Sequence, residues 1–420
     1  MERRDFLKLA AGAGLALSFP AGIRRAEAAS VDYRGPLWVF VNADGGWDPT
    51  SLCDPKGRLS ADEASPVNKS YGVGDILTAG NIRYAPVGGN QAFFEKHWKR
   101  LLVVNGLDTE TNSHDSGQRN VWSGSLQEGL PALAALVAGG LGKDKPMAFL
   151  SSGGFDDTAG LVALSRAGNM GALSRIAFPN RSDPNNPDSF IHSQSTSERI
   201  AKAQEERIQS LLQRERLPRV RRSLSMLVNA RAGQDELQRL SEMLPSPLDD
   251  SNNPLKRQAQ VAVAAYRAGI TVSANLNLGG FDTHGNHDAT HIPRLQMLLE
   301  GVDFLLAEAE DKGIADRIVV AVGSDFGRTP SYNSDNGKDH WSITSMMLIG
   351  AGIPGNRVVG ATDERHRPLT VDPRTLQLDA RGIRLKPVHV HRALRRLAGV
   401  DRLDAASRFP LAGEDLPILG

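Results

Sequence analysis

The segment IPRLQMLLEGVDFLLAEAEDKGIADRIVVAVG, residues 292–323, decides the fold class of this chain. Its first part, residues 292–311, places leucine and valine at spacings of three and four, which predicts an amphipathic helix. Residues 317–323 then form an uninterrupted apolar run, which is typical of a strand buried on both faces. Residues 270–278, ITVSANLNL, precede the helix and are a candidate for a third strand, with apolar residues alternating with polar ones. The order strand, helix, strand therefore predicts a parallel sheet covered by helices.

Two further apolar runs extend this prediction toward the N-terminus. LWVFVNA, residues 37–43, is followed by Asp44-Gly45-Gly46, which indicates a buried strand and then a turn. Residues 100–107, RLLVVNGL, have the same form. We therefore expect one α/β domain over residues 29–420, with a mostly parallel central sheet flanked by helices.

One part of the chain differs in composition from this pattern. Residues 195–244 are charged, rich in alanine and leucine, and interrupted only near Pro218, which predicts two or three helices. A further helix is expected over residues 254–268. We predict that this helical insert, about residues 195–268, interrupts the domain, and that residues 195–244 lie outside the sheet and shape the rim of the site.

The first residues have the form of a targeting segment. Arg3-Arg4-Asp5-Phe6-Leu7-Lys8 resembles a twin-arginine export signal, and Ala26-Glu27-Ala28 offers a cleavage site. The apolar stretch between them, residues 9–19, is well short of the ~20 residues that span a bilayer. We expect residues 1–28 to be a signal peptide that the twin-arginine translocase recognises. The mature protein would then be periplasmic or extracellular, without a transmembrane segment; the alternative is an amphipathic helix of the mature fold.

Charge and cysteine content exclude several classes of protein. The chain has 49 basic and 48 acidic residues and a net charge of +1, which argues against a nucleic-acid or anionic-membrane surface. Cys53 is the only cysteine, so there is no disulfide framework. A metal ion would have to be bound by histidine and carboxylate side chains.

Such side chains follow the predicted strands. Asp44 comes directly after the first strand, Asp282 and His284 follow the third, and Asp325 follows the fourth, with His340 farther on. Because the carboxyl ends of parallel strands meet at one edge of the sheet, these residues can converge. Imidazole and carboxylate together are ligands that zinc accepts. The pattern predicts a metal site; the alternative is that these residues cap helices and fix loops.

The stretch GGFDTHGNHDATH, residues 279–291, holds three of the ten histidines. We expect Asp282 and His284 to address one ion, because residues two apart on a strand point the same way. His287 is a further candidate ligand in the following turn. His291 is expected to be a surface or capping residue at the start of the next helix.

Several specific motifs lie at these strand ends or beyond them. VGSDFGRTP at residues 322–330 and KDHW at residues 338–341 are the most specific. FDTH at residues 281–284 accompanies them, as does segment 113–124, which opens on Ser-His and ends on Trp-Ser-Gly. Over about residues 35–397 the chain resembles domain-of-unknown-function family 1501, whose own activity is unknown.

Family 1501 is similar in turn to the alkaline phosphatase and sulfatase superfamily. The resemblance implies an alkaline phosphatase-like α/β fold and a divalent metal, zinc foremost, with manganese, magnesium or calcium as alternatives. Paired metals of this kind clamp a phosphoryl or sulfuryl group. Carried over residue by residue, the implied ligands are Asp44, Asp282, His284, Asp325 and His340.

The chain departs from the superfamily pattern near the expected catalytic residues. Phe326 stands where the superfamily places a histidine, and phenylalanine cannot bind metal. Ser113 falls near the place of the nucleophile and could attack phosphorus if a metal lowered its pKa. Alternatively, His114 replaces the lost imidazole, leaving one metal and no nucleophile. Arg328 either neutralises an anionic substrate or is a structural arginine in the turn before Pro330.

Two hypotheses about function follow. The first is an exported metal-dependent hydrolase of phosphate or sulfate esters, with an anionic small molecule or glycan ester as substrate. The second is a non-catalytic, metal-stabilised envelope protein that uses a degenerate phosphatase-like site for binding. The clustered strand-end ligands favour the enzyme, whereas Phe326 and the open question of the nucleophile favour the binding protein.

Overall fold

The computed structural model describes residues 33–166, 177–183, 186, 188–221, 223–224, 234–245 and 247–420. The proposed signal peptide, residues 1–28, lies outside the described residues. Within the described ranges, no helix is both long enough and apolar enough to cross a membrane.

The described residues contain both strands and α-helices, which alternate in part of the chain. The strands are β1 (Leu37–Asp44), β2 (Leu77–Ala79), β3 (Ile82–Tyr84), β4 (Leu101–Asp108), β5 (Phe149–Ser151), β6 (Leu164–Arg166), β7 (Ser273–Gly279), β8 (Ile318–Ser324), β9 (Gly327–Arg328), β10 (His340–Trp341), β11 (Ile343–Gly350) and β12 (Arg357–Val359). The α-helices are α1 (Asn90–His97), α2 (His114–Ser123), α3 (Leu133–Leu141), α4 (Gln194–Arg214), α5 (Gln234–Met243), α6 (Pro254–Arg267), α7 (His287–Asp311), α8 (Pro387–Leu397) and α9 (Asp404–Ser407).

The central sheet is mostly parallel, as the sequence predicts. Among the described residues it has eight strands in the order β12-β4-β11-β8-β1-β7-β5-β6. β1 pairs in parallel with β7 and β8, whereas β11 runs antiparallel to both β4 and β8. After β8 the chain forms the short β9–β10 ribbon and enters β11. β11 can therefore pair with β8 without the helical crossover that a parallel strand requires.

The sheet separates two hydrophobic cores, and strand β1 shows how. Leu37, Val39 and Val41 point into one core, together with the buried faces of α6 and α7. Trp38 and Phe40 point into the other, together with α3 and α8. Because successive strand residues face opposite sides, a strand covered on both faces is mostly apolar. This coverage on both faces produces the apolar runs that predict the strands.

The described part of residues 195–268 is helical and contributes no strand to the central sheet. α6 packs against β7 and α7, and its residues from Leu255 to Tyr266 contribute to one of the two cores. α6 therefore belongs to the helical layer that covers the sheet. The placement of residues 195–244 at the rim of the site stays a prediction.

Candidate metal centre

Three neighbouring strands end at the same level of the sheet. Asp44 at the end of β1 pairs with Gly279 at the end of β7, and Ala43 pairs with Ser324 at the end of β8. Asp325 follows Ser324 directly, and Asp282 lies in the loop after β7. The carboxyl edge of the sheet, where open α/β folds form their sites, therefore gathers these acidic residues.

The turn after β1 must be glycine for steric reasons. Gly45 and Gly46 have φ angles of +116° and +82°. A Cβ atom on Gly45 would lie 2.6 Å from the backbone nitrogen of Asp282, and one on Gly46 would lie 2.6 Å from the ring of Phe326. Gly45 also donates its N–H to Asp325 Oδ2 at 3.1 Å. The glycines let the three strand-end loops contact one another.

Three imidazoles meet one carboxylate in front of these strand ends. His284 Nε2 lies 3.0 Å from Asp282 Oδ1 and 3.0 Å from His340 Nε2. His340 Nε2 is 3.2 Å from Asp282 Oδ1, and His114 Nε2 is 3.6 Å from Asp282 Oδ2. His114, Asp282 and His340 each offer one ligand atom within 4.8 Å of the others. We call His114, Asp282, His284 and His340 the metal-centre cluster.

The second ring nitrogen of each histidine is held by an oxygen acceptor outside the cluster. His114 Nδ1 lies 2.7 Å from Asp325 Oδ2, His284 Nδ1 lies 2.8 Å from Asp339 Oδ1, and His340 Nδ1 lies 2.7 Å from Asn112 O. Because these acceptors call for an N–H at Nδ1, each imidazole in its neutral form would keep the Nε2 lone pair for the centre of the cluster. This is the arrangement in which histidines bind metal ions.

Asp325 supports the cluster from a buried position. It is 0% exposed, and its Oδ2 accepts from Gly45 N and from His114 Nδ1. The hydrogen bond to Asp325 raises the pKa of His114 against the opposing effect of burial. Asp325 Oδ1, equally buried, has no hydrogen-bond partner among the described residues. A bound ion would satisfy such an oxygen.

The other two strand-end carboxylates differ in their protonation behaviour. Burial, followed by the negative charge of Asp325, raises the pKa of Asp44, whose Oδ1 accepts from Gln118 Nε2 at 2.6 Å. For Asp282, burial opposes ionisation, but the hydrogen bond and charge of Arg328 outweigh it and hold the pKa at about 2. Asp282 is therefore ionised at neutral pH and able to bind a cation.

Arg328 is a structural part of the site. Its side chain is 0% exposed. It donates from Nε to Gly46 O at 2.8 Å, from Nη1 to Lys338 O at 3.0 Å, and from Nη2 to Gly45 O and to Asp282 Oδ1, the last at 2.7 Å. Of the two roles that the sequence left open, these contacts favour the structural one, because the guanidinium group is engaged by the chain itself.

His287 and His291 face away from the metal-centre cluster. Helix α7 begins at His287, earlier than the expected residue 292, and its N-cap residue, Asn286, has a left-handed φ of +45°. Both histidines are 0% exposed, and their rings stack with centroids 4.3 Å apart. The expectation that His291 is a surface or capping residue was wrong. The candidate ligand His287 instead contacts Asp48, at 3.1 Å, and Thr283, at 2.7 Å.

Ser113 and Phe326 lie next to the cluster in different ways. Ser113 is exposed at the N-terminus of α2, where its carbonyl accepts from Gly117 N at 2.8 Å. Phe326 is 0% exposed, and its ring centroid lies 4.9 Å from that of His114 and 4.5 Å from that of His340. An apolar ring therefore packs beside His114 and His340, at the position where the resemblance implied a histidine.

Sequence reasoning missed several residues that support the cluster. Asp339 was not singled out, although its position beside His340 in the KDHW motif was an available indication. Asp48 and Thr283 were missed as partners of the buried histidines. The spacing of four between His287 and His291 places both rings on one face of a helix. That spacing was the available indication that the two histidines share buried polar partners.

The fold and the cluster define the class of this molecule: an α/β protein with histidine and aspartate side chains gathered at the carboxyl edge of a mostly parallel sheet. The chain belongs to the family described as "Protein of unknown function (DUF1501)", whose model matches residues 37–377. This membership confirms the resemblance that the motifs indicated. No protein with a curated description matches the chain at a significant level.

Solved structures with a similar fold include sulfatases and an alkaline phosphatase. The lipoteichoic acid synthase LtaP from Listeria monocytogenes is 8% identical, with a TM-score of 0.41 over 92% of this chain and 76% of that chain. The alkaline phosphatase from the Antarctic bacterium TAB5 is 9% identical, with a TM-score of 0.36 over 88% and 100% of the two chains. The 2-O GAG sulfatase BT1596 is 12% identical, with a TM-score of 0.36 over 91% and 73%. TM-scores this low carry no argument about function.

Proposed function

We propose that His114, Asp282, His284 and His340 hold one divalent metal ion, zinc foremost. Three imidazole nitrogens and one carboxylate form a donor set that zinc accepts. The ionised carboxylate of Asp282 supplies a negative charge to the ion, and the buried carboxylate of Asp325 adds a second one behind His114. Asp325 then supports the ion through His114.

The proposed ligands are accessible to solvent and are held in a fixed orientation by neighbouring residues. The side chains of Asp282 and His284 are 47% and 48% exposed. The contact of His284 Nδ1 with Asp339 and the hydrogen bond from Arg328 to the Asp282 carboxylate fix their orientation. A bound divalent ion would polarise a phosphoryl or sulfuryl oxygen. The residues of the chain orient the ligands, and Phe326 closes the inner side of the cluster against His114 and His340.

The function that this site supports best is the hydrolysis of phosphate or sulfate esters by an exported, metal-dependent enzyme. The observation that carries this proposal is the convergence of three Nε2 atoms on the ionised Asp282 at the carboxyl edge of the sheet. An anionic small molecule or a glycan ester is the expected substrate class. The Arg3-Arg4 motif supports export by the twin-arginine translocase to the periplasm or beyond.

The test is a hydrolysis screen of the purified protein with aryl phosphates, phosphodiesters and aryl sulfates, each with Zn²⁺, Mn²⁺, Mg²⁺ or Ca²⁺. We expect hydrolysis of at least one ester class, and its loss in His340→Ala. His389→Ala is the matched control, because His389 contacts Glu414 in a different region of the chain. Hydrolysis that is unchanged in His340→Ala would contradict the proposed site.

A second function is favoured by one observation. Ser113 is exposed, and its backbone carbonyl accepts a hydrogen bond from Gly117 N. The buried ring of Phe326 packs against the neighbouring residue, His114. This arrangement suits a metal-stabilised binding protein with a degenerate phosphatase-like site. Stoichiometric metal binding by the wild-type protein, together with failure to hydrolyse every ester in the screen, would select this alternative.

A further inference from the structure

A ring of buried polar groups lies behind the metal-centre cluster. Asp48, His287 and His291 are 0% exposed, and Thr283 is 7% exposed. Asp48 N lies 2.8 Å from His291 Nε2, and His291 Nδ1 lies 3.0 Å from Thr283 Oγ1. Thr283 Oγ1 lies 2.7 Å from His287 Nδ1, and His287 Nε2 lies 3.1 Å from Asp48 Oδ2. We call these four residues the Asp48 ring.

The directions of the hydrogen bonds in the Asp48 ring follow from its two ends, the backbone N–H and the carboxylate of Asp48. The carboxylate can only accept, so His287 carries its proton at Nε2 and presents the Nδ1 lone pair to Thr283. The backbone N–H of Asp48 can only donate, so His291 Nε2 accepts and His291 Nδ1 carries the proton. That Nδ1–H donates to the Thr283 hydroxyl, which donates in turn to His287 Nδ1. His287 Nε2–H then donates to the Asp48 carboxylate. The Thr283 hydroxyl is thus the one group that accepts from one histidine and donates to the other.

The same threonine lies between two ligands of the metal-centre cluster. Asp282 and His284 flank Thr283 in the chain, and their side chains face the cluster while that of Thr283 faces the Asp48 ring. The Thr283 carbonyl accepts from Lys338 N at 3.1 Å, and Lys338 Nζ donates to Asp48 Oδ2 at 2.7 Å. The ring is therefore hydrogen-bonded to two of the three segments that carry ligands, residues 282–284 and the segment before His340, since Lys338 lies two residues before His340.

These two segments are also in close contact. A Cβ atom on Gly337 would lie 1.8 Å from the carbonyl oxygen of His284, so the backbones leave no room for a side chain. A displacement of residues 282–284 would therefore move against residues 337–340. The geometry of three of the four ligands, Asp282, His284 and His340, depends on how firmly the Asp48 ring holds this junction.

We propose that Thr283 is a positioning residue: its hydroxyl, held between His287 and His291, fixes the orientation of Asp282 and His284 and thereby sets the metal affinity of the cluster. The claim that Thr283 sets the metal affinity rests on the proposed function. The claim that Thr283 fixes the orientation of Asp282 and His284 rests only on the hydrogen bonds of the Asp48 ring.

The test compares Thr283→Val, which keeps the shape and removes the hydroxyl, with Thr283→Ser, which keeps the hydroxyl. The first measurement is hydrogen exchange of residues 280–286 in the metal-free protein. The second is Co²⁺ titration, followed by the visible absorption of the bound ion. If Thr283→Val does not fold, Thr283→Cys, whose thiol is a weaker hydrogen-bonding group, replaces it in both measurements.

We expect Thr283→Val to exchange faster over residues 280–286, to bind Co²⁺ about tenfold or more weakly, and to shift its absorption bands, as loss of outer-shell support does. Thr283→Ser should restore all three values. Wild-type exchange and Co²⁺ affinity in Thr283→Val would overturn the positioning role. If the wild-type protein bound no Co²⁺, the proposed function would fail, while faster exchange in Thr283→Val alone would still support the positional role.

Discussion

Asp325 Oδ2 lies 2.7 Å from His114 Nδ1, so the aspartate that follows strand β8 reaches the metal-centre cluster through an imidazole. The resemblance to the phosphatase and sulfatase superfamily implied instead that Asp325 itself is a ligand. In this structure His114 presents Nε2 to Asp282, on the side of the ring that faces away from Asp325. The contact is consistent with the alternative in which His114 supplies the imidazole that the resemblance implied at the position of Phe326.

The role of Asp325 can be tested with Asp325→Asn. The amide oxygen can still accept from Gly45 N and His114 Nδ1, but the negative charge behind the imidazole is lost. We expect Co²⁺ affinity to fall about tenfold to 100-fold, with the shape of the visible spectrum retained, because the ligands themselves remain. A change of spectrum that indicates a lost ligand would show that Asp325 binds the ion directly.

Arg328 should contribute to stability more than any exposed arginine. In Arg328→Met, the carbonyls of Gly45, Gly46 and Lys338 and the Asp282 carboxylate lose a buried donor. We expect the free energy of unfolding in urea to fall by about 3–5 kcal/mol, because three buried carbonyls lose their partner at a cost of about 1–3 kcal/mol each. The control is Arg381→Met, whose side chain is 94% exposed and should change stability by less than about 0.5 kcal/mol. Equal stability of the two variants would contradict the structural role.

The fold was predictable where burial leaves a local pattern. The runs at residues 37–43, 100–107 and 317–323 correspond to β1, β4 and β8, since a strand covered on both faces is mostly apolar whatever its neighbours are. The prediction missed β11, the antiparallel strand between β4 and β8. Its place depends on the β9–β10 ribbon, which is a tertiary feature without a local pattern.

The sequence predicts which edge of the sheet carries the site, but it does not predict which side chains contact one another there. The carboxyl-edge rule brings Asp44, Asp282 and Asp325 to one edge. It does not indicate that His114, far away in sequence, turns its Nε2 toward Asp282. Nor does it indicate that His287 turns inward, because that follows from the helix start at Asn286 and from the buried charge of Asp48.

His391 should make the protein sensitive to mild acid. Burial lowers its pKa to about 4, against the ordinary value of 6.5, and its Nε2 donates to Val121 O at 2.7 Å. The unfolded chain takes up a proton below pH 6.5, whereas the folded chain takes it up only near pH 4. Stability should therefore fall as the pH decreases through this window.

The variant His391→Gln keeps a donor for Val121 and removes the titration. Between pH 7 and pH 5 it should lose about 2 kcal/mol less unfolding free energy than the wild-type protein. Urea unfolding at both pH values measures this difference. Parallel pH profiles for the two proteins would mean that His391 is not held neutral in the folded state.

We predict that export of this protein depends on the arginine pair Arg3-Arg4. Replacing Arg3 and Arg4 with lysine should leave the precursor in the cytoplasm, because the twin-arginine translocase recognises the pair. Cell fractionation and immunoblotting measure the distribution. The control replaces Arg24 and Arg25, which lie near the expected cleavage site, and should still be exported. Normal export of the Arg3/Arg4 variant would remove the basis for a twin-arginine signal.

The most direct test of the metal centre is the metal content of the purified, dialysed protein by mass spectrometry, for the wild type, His340→Ala and His389→Ala. His340 points Nε2 into the cluster, whereas His389 contacts Glu414. We predict about one divalent ion per chain in the wild type and in His389→Ala, and almost none in folded His340→Ala. A wild-type protein without metal, or equal metal content in all three proteins, would contradict the assignment of this site.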